Sequence, residues 1–304
     1  MANCCETPQI NMRPQNLKTK IFLDGGDPEE TKEILNLLGF LDGQTTNPTL
    51  ISKNPEVARR LEEGSKFGKK EILNFYRDLV EAISNLIPNG SISVEVYADK
   101  NTSAEEMLKQ GREMFSWIPN AHIKYPTTGE GLKSAEQSIR QGLRLNMTLC
   151  FSQEQAASVY AATHGAKRGQ VFVSPFVGRL DDRGEDGMSL IENILKMYKE
   201  GNRHVELLTA SVRNLDHFLY AIKLGSDIIT APFTILKEWR ELGMPLPDNN
   251  FIYNSQNLLA IPYKKLDLNK PWQEYNIFNE LTDIGMEKFS KDWNDLVGLP
   301  LDFL

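Results

Sequence analysis

Cysteine is scarce in this sequence. There are three in 304 residues: Cys4 and Cys5 side by side near the start, and Cys150 alone. A low, odd count offers no disulfide framework and fits a reducing compartment, so a cytoplasmic location is expected. Long apolar runs are missing: none approaches the roughly 20 residues of a membrane span. The opening MANCCETPQINMRPQNLKTK lacks the apolar stretch of a signal peptide. An excess of positive charge is also missing. The 34 Lys and Arg against 41 Asp and Glu give a net charge of −7. That balance suits neither nucleic acid nor an anionic lipid surface, and neither partner is expected. It does not attract anionic metabolites at long range either, so a phosphorylated substrate would need a local arginine cluster. Neither GxGxxG nor GxxxxGKS/T occurs, which removes support from a doubly wound nucleotide-binding sheet. The four histidines, His122, His164, His204 and His217, do not fall at metal spacing, and all read as structural or surface residues. DDRGEDG (181–187) lacks the third-position ligand and the terminal glutamate of a calcium loop. No metal is expected.

What is present is alternation. Hydrophobic residues make up 40% and charged residues 25%, the balance of a soluble globular chain. A polar segment, 1–19, is expected to be loose or to lie over the surface. From there short apolar runs alternate with helical patterns. KIFLD (20–24) precedes PEETKEILNLLG (28–39), with Pro28 suited to a first helical position and Gly39 to a stop. GQTTNP (43–48) precedes a helical region over about 55–87, and SISVEVYA (91–98) precedes SAEEMLKQGREMF (103–115), where Ser103 and Glu106 form a capping box. HIKYP, RLNMTLCF (144–151), QVFVSP (170–175), HVELLTAS (204–211) and SDIITAP (226–232) are further strands. Their helices are 130–142, 152–165, 189–201, 214–225 and 233–243, with 177–187 read as a loop. Eight such units in one chain predict a single (β/α)8 barrel over 20–304. A helical tail from about 264 carries ELTDIGMEKFSKDW (280–293), which packs across a barrel face or serves an oligomer interface. KPWQEY (270–275) reads equally as a clamp or an interface. A homo-oligomer is compatible with both.

Such barrels place their chemistry at the C-terminal ends of the strands. Those ends carry Asp24, Asn47, Glu95, Lys124, Asn146 with Thr148, Ser174, and Ser211 with Arg213. Taken singly, each has an ordinary reading: a helix cap, one ion pair, a hydroxyl satisfying backbone. Together they form a ring that structure alone does not require, because removing three charges from water costs several kcal/mol before pairing. Lys124 sits in the middle of a short apolar strand. A lysine amine is neutral in only about one part in a few thousand at pH 7, and burial shifts that balance toward the nucleophilic form. A neutral amine attacks a carbonyl to give a Schiff base, an electron sink for breaking the adjacent C–C bond. That chemistry needs an acid/base group for the substrate hydroxyl, and a carboxylate with a hydroxyl to handle water. Asp24, Glu95 and Thr148 fit. Cys150, following Leu149 on its strand, reads as a small core residue.

In order over roughly 20–240, FLDGGDPEE, DGQTTNPTLI, IKYPTTGEGL, NMTLCFSQEQA, SPFVGRLDD and TASVRN together resemble the transaldolase family, with weaker similarity in ELTDIGMEKFSKDW. The resemblance implies a class I, Schiff-base enzyme on a (β/α)8 barrel with its lysine on the fourth strand. It further implies transfer of a dihydroxyacetone unit from a ketose phosphate (sedoheptulose 7-phosphate or fructose 6-phosphate) to an aldose phosphate, a place in the pentose phosphate pathway, and no cofactor. Position by position it implies Lys124 as the nucleophile and Asp24 as the acid/base for C–C cleavage, with Glu95 and Thr148 handling the catalytic water. Asn47, Asn146 and Ser174 would hold the dihydroxyacetone moiety, and Arg179, Ser211 and Arg213 the phosphate. The family also contains fructose 6-phosphate aldolases, which release free dihydroxyacetone. Glu95 and Phe176 stand where those aldolases resemble one another in carrying glutamine and tyrosine, so both positions look like a transaldolase. An aldolase remains the alternative. A non-catalytic sugar-phosphate-binding member is a third reading, against which stand the lysine and both carboxylates. The loop GRLDDRGEDG is shorter than in the longer transaldolases, and YPTT looks more like the short aldolase-type members.

Overall fold

A computed structural model describes residues 12–255 and 257–297. Eight parallel strands close into a barrel in chain order: β1 (Lys20–Asp24), β2 (Gly43–Thr45), β3 (Ser91–Glu95), β4 (Ala121–Pro126), β5 (Leu145–Cys150), β6 (Val171–Pro175), β7 (Val205–Thr209) and β8 (Ile228–Ala231). The last pairs back onto the first, Ile229 against Ile21. The helices are α1 (Pro28–Leu38), α2 (Pro48–Ser52), α3 (Pro55–Glu62), α4 (Lys69–Leu86), α5 (Ala104–Phe115), α6 (Gly129–Arg140), α7 (Gln153–Ala162), α8 (Val177–Asp181), α9 (Gly187–Tyr198), α10 (Leu215–Leu224), α11 (Phe233–Glu241) and α12 (Glu280–Val297). The chain is a (β/α)8 barrel with a C-terminal helix, as its alternation predicts. No helix among the described residues is long and apolar enough to cross a membrane.

Local chemistry sets the element ends. The Asp27 side chain accepts from the Glu29 amide at the start of α1, and Gly39 ends that helix at φ 73°, the left-handed conformation glycine adopts without penalty. Ser103 and Glu106 form the expected capping box on α5. Three expectations need correction. The helical region 55–87 is two helices, α3 and α4, parted at Gly64 (φ 73°), and α2 precedes them. β3 stops at Glu95, because the Tyr97 amide donates to the Gln110 side chain of α5 (2.9 Å) instead of to a ladder partner. The stretch 177–187 is not a plain loop. It holds α8 and a two-residue strand, Glu185–Asp186, paired with Leu259–Ala260. Backbone bonds from Val177 to the Ala210 carbonyl and from Gly178 to the Ser211 carbonyl (both 3.0 Å) anchor it, and such pairing across the barrel rim leaves no periodic trace in sequence.

Strand residues alternate between the barrel interior and the helical shell. Low in the interior, Phe22 meets Phe172 edge-on at 6.1 Å and His122 stacks on Phe172 at 4.1 Å. Burial pushes the His122 imidazole down to about 3, so it is a neutral part of the core. Lys20 with Glu206, and Arg168 with Asp227, lie at the N-terminal end of the barrel. Residues 12–19 run along this end, held by Arg13 on Asp42 (2.7 Å) and by the buried side chain of Leu17.

The tail packs on its own barrel. Trp272 and Tyr275 of KPWQEY are buried, and the Trp272 indole donates to Glu136 of α6 (3.4 Å). α12 crosses the C-terminal mouth. Its Thr282 hydroxyl donates to the Leu149 carbonyl (2.9 Å), and its Asp292 accepts from Thr49 of α2. Gly285 permits the approach, since a Cβ there would stand 2.6 Å from a Leu149 methyl. Leu149 has φ 57° beside a register shift between β5 and β6, a bulge that turns its carbonyl out of the ladder toward α12.

Candidate active site

Parallel register decides which side chains become neighbours. Glu95 of β3 lies opposite Lys124 of β4, and Lys124 lies opposite Asn146 of β5. Residues paired in adjacent strands point to the same face, so all three side chains enter the barrel at one level. Lys124 is 3% exposed and Glu95 6%. The lysine Nζ donates to Glu95 Oε2 at 2.6 Å and to the Thr46 carbonyl at 2.8 Å. Burial pushes the Glu95 carboxyl above its usual range, against the opposing pull of Lys124 and with Asp24 adding to the rise. Asp24, at the end of β1, is pushed upward by the same cause; a hydrogen bond from Thr45 and the Lys124 charge oppose it. The Thr45 hydroxyl donates to Asp24 Oδ1 (2.8 Å), so the 2.6 Å contact between Thr45 and Thr230 has Thr230 as donor. Two carboxyls pushed toward their protonated forms beside one lysine make a site suited to proton exchange.

A second chain of hydrogen bonds crosses the floor. Ser174 Oγ donates to Asn146 Oδ1 (2.6 Å), and Asn146 Nδ2 donates to Ser93 Oγ (3.0 Å). The Thr148 hydroxyl is buried with no hydrogen-bond partner among the described residues. Such a group is costly unless a water or ligand completes it, which marks it as a contact in waiting. On the far wall, Arg179 is half-buried between the rings of Phe176 and Phe289, each 5.8 Å away. Burial and the neighbouring Arg213 act against its charge. Among the described residues no carboxylate forms an ion pair with it, whereas Arg213 holds Asp182 at 2.9 Å. Ser211, which lines the same pocket, has φ 58°.

These groups enclose a pocket of about 190 Å³. Asp24, Asn47, Lys124, Thr148, Ser174, Phe176, Arg179, Ser211 and Arg213 line it. Glu95 and Asn146 do not; they reach the lining residues Lys124 and Ser174 directly. All eleven residues singled out in the sequence therefore converge on one mouth. Asn47 also caps α2, its side chain accepting from the Leu50 amide (3.0 Å). The sequence reading missed Thr45, Thr49, Thr230 and Phe289, which line the same pocket. Thr45 lies within the TTNP motif and was legible there. Phe289 comes from α12, whose place over the mouth has no sequence signal beyond the tail motif.

A family model for transaldolase/fructose-6-phosphate aldolase matches residues 21–299. The chain belongs to that family. Its members are aldolases and transferases, and this chain is an enzyme of the group. A probable transaldolase of Dehalococcoides mccartyi is 40% identical over 230 residues, 76% of this chain and 93% of its own length. One from Alkaliphilus metalliredigens is 35% identical over 278 residues, covering 91% of this chain and 99% of its own. A third, from Methanococcus maripaludis, is 39% identical over 230 residues, 76% and 93%. The match runs through every strand of the barrel and into α12.

Proposed function

We propose that the protein is a transaldolase that carries a dihydroxyacetone unit from a ketose phosphate to an aldose phosphate on Lys124. The observation that carries this reading is the 2.6 Å contact between a buried lysine and a buried carboxylate, beside a pocket also lined by Arg179, which has no ion-pair partner among the described residues.

Glu95 takes the ammonium proton across that contact, leaving a free amine. The amine attacks the C2 carbonyl of the ketose to give a carbinolamine. Its hydroxyl leaves as water with a proton returned from Glu95, and the Thr148 hydroxyl, with no partner among the described residues, is free to hold that water. The product is an iminium. The Asp24 carboxylate then removes the proton from the C4 hydroxyl, the C3–C4 bond breaks, and its electrons flow into the iminium to form an enamine. The aldose phosphate leaves. A second aldose phosphate enters, the enamine carbon attacks its aldehyde, and Asp24 returns the proton to the new hydroxyl. Hydrolysis of the iminium restores Lys124. Asn47 and the Asn146–Ser174 pair suit the hydroxyls of the three-carbon unit. Arg179, Arg213 and Ser211 suit the phosphate, since guanidinium groups match its oxygens.

The alternative is an aldolase that releases dihydroxyacetone by protonating the enamine. Phe176 favours transfer: its ring meets Phe151 edge-on at 5.8 Å and brings no acid to the pocket. The deciding experiment follows glyceraldehyde 3-phosphate formed from fructose 6-phosphate, with and without erythrose 4-phosphate. Transfer gives turnover only with the acceptor. Equal turnover without it, with dihydroxyacetone accumulating, refutes the reading in favour of an aldolase. Borohydride with fructose 6-phosphate should add mass at Lys124; no adduct there refutes the Schiff base.

A further inference from the structure

The C-terminal end of the seam between β2 and β3 is opened by a side chain from outside the barrel. In a parallel ladder where Thr45 pairs with Ser93, the Thr46 amide bonds the Ser93 carbonyl, and it does so at 3.2 Å. The next rung should run from the Glu95 amide to the Thr46 carbonyl. That rung is absent. The Glu95 amide donates instead to the hydroxyl of Tyr76, on α4, at 2.9 Å. The Tyr76 hydroxyl is also 2.7 Å from Thr46 Oγ1. Thr46 Oγ1 spends its own proton on the Ser93 carbonyl (2.8 Å), so Tyr76 is the donor to Thr46. The Thr46 carbonyl, released from the ladder, accepts from Lys124 Nζ at 2.8 Å.

One hydroxyl thus occupies the place of a missing rung. It is bonded to both residues that hold the lysine: Glu95 through its amide and Thr46 through its side chain. The ring is held independently of these bonds. It is 2% exposed and packs edge-on against Trp117 (5.8 Å) and against Trp293 of α12 (5.7 Å). A buried hydroxyl with both partners satisfied fixes its neighbours' positions more than it adds to stability.

We infer that Tyr76 is a positioning residue for Lys124: by replacing a ladder rung, its hydroxyl keeps the Thr46 carbonyl and the Glu95 side chain aimed at the amine. The inference rests on the reading of Lys124 as the Schiff-base nucleophile. Without the hydroxyl, the Glu95 amide is left buried with no acceptor except the Thr46 carbonyl. Closing that rung takes the carbonyl from Lys124 and shifts Glu95. Misplacing a reacting group by a fraction of an ångström lowers turnover without weakening remote substrate contacts.

Tyr76→Phe tests this, because the ring and its contacts with both tryptophans remain. The expected result is a fall in kcat of about tenfold or more, with KM within about twofold, since the phosphate-facing arginines are untouched. Borohydride trapping of fructose 6-phosphate at Lys124 should slow by the same factor. Trp117→Phe disturbs the ring's packing and not the hydroxyl, and should leave kcat within about twofold. Unchanged kcat in Tyr76→Phe, or an equal fall in Trp117→Phe, overturns the inference. Should Tyr76→Phe not fold, Thr46→Val decides: it removes the hydroxyl's acceptor and keeps the carbonyl, and unchanged kcat there overturns the inference as well. Wild-type protein that is never trapped at Lys124 refutes the underlying reading. Wild type that is trapped, with Tyr76→Phe trapped equally fast, refutes this inference alone.

Discussion

Lys124→Met should unfold more easily than the wild type, and increasingly so as pH rises. The substitution keeps an unbranched side chain of similar length in the strand and removes the charge. Glu95, 6% exposed, then loses the partner that holds its Oε2 at 2.6 Å. Breaking one side of a buried ion pair costs about 3–5 kcal/mol when the remaining charge stays buried. With roughly 2.1 cal/mol/K of unfolding entropy per residue, a chain of 304 residues loses about 1.6 °C of Tm per kcal/mol, or roughly 5–8 °C here. The pH dependence follows from Glu95. Burial and Asp24 already hold its carboxyl above the ordinary value of 4.5, and only Lys124 and Arg179 oppose them. A carboxyl whose pKa is higher folded than unfolded favours the folded state below its unfolded pKa, and that contribution is lost as pH rises through the folded value. The deficit of Lys124→Met should therefore grow as pH rises above the ordinary carboxyl value of 4.5. Adding Glu95→Gln removes the stranded charge and should recover most of the loss at pH 8. Differential scanning calorimetry of wild type, single and double variants across this range is the assay. A deficit that does not change with pH, or a double variant no better than the single, would refute the picture of a buried carboxylate held by the lysine.

Arg179→Ala should raise KM for phosphorylated sugars by about 100-fold or more, the loss of a charge-assisted contact to a dianion, while kcat changes little; steady-state kinetics check it. Phe176→Tyr should let the enamine be protonated, so that dihydroxyacetone appears when fructose 6-phosphate is supplied without an acceptor; an enzymatic dihydroxyacetone assay reads it. Gly131→Ala should destabilise the fold by about 3 kcal/mol or more, because a Cβ there would stand 1.9 Å from the Pro126 carbonyl. Pro126 is two residues beyond Lys124 on β4, so activity should fall with it.

The barrel was legible because each unit carries its own local signal. KIFLD, SISVE and HIKYP are short and apolar, and the helices between them have caps that read directly, such as Ser103 with Glu106. The polar residues on those strands fall at one end of the barrel by topology alone, which is why the sequence suffices to group Asp24, Glu95 and Lys124. What did not show in sequence was imposed from a distance. The bulge at Leu149 interrupts an apolar run with no glycine to mark it, and its carbonyl is turned out to meet Thr282 of α12. α8 is held by the carbonyls of Ala210 and Ser211, residues far along the chain. Phe289 reaches the pocket only because Gly285 lets α12 lie close over β5. The partner of the Thr46 carbonyl could not be guessed either, since strand pairing favours a rung there and a tyrosine from the helical shell removes it.

The crossing of α12 over the mouth also sets an order of events during synthesis. A ribosome completes all eight strands, with Lys124, Glu95 and Asp24 among them, before it makes Phe289, Thr282 or Asp292. Domains fold as units, so the mouth gains its roof only after nearly the whole chain has been made. The helix made last is thus the one that brings Phe289 to the pocket lined by Lys124, and a chain cut short before it would carry every strand of the barrel and an unroofed mouth.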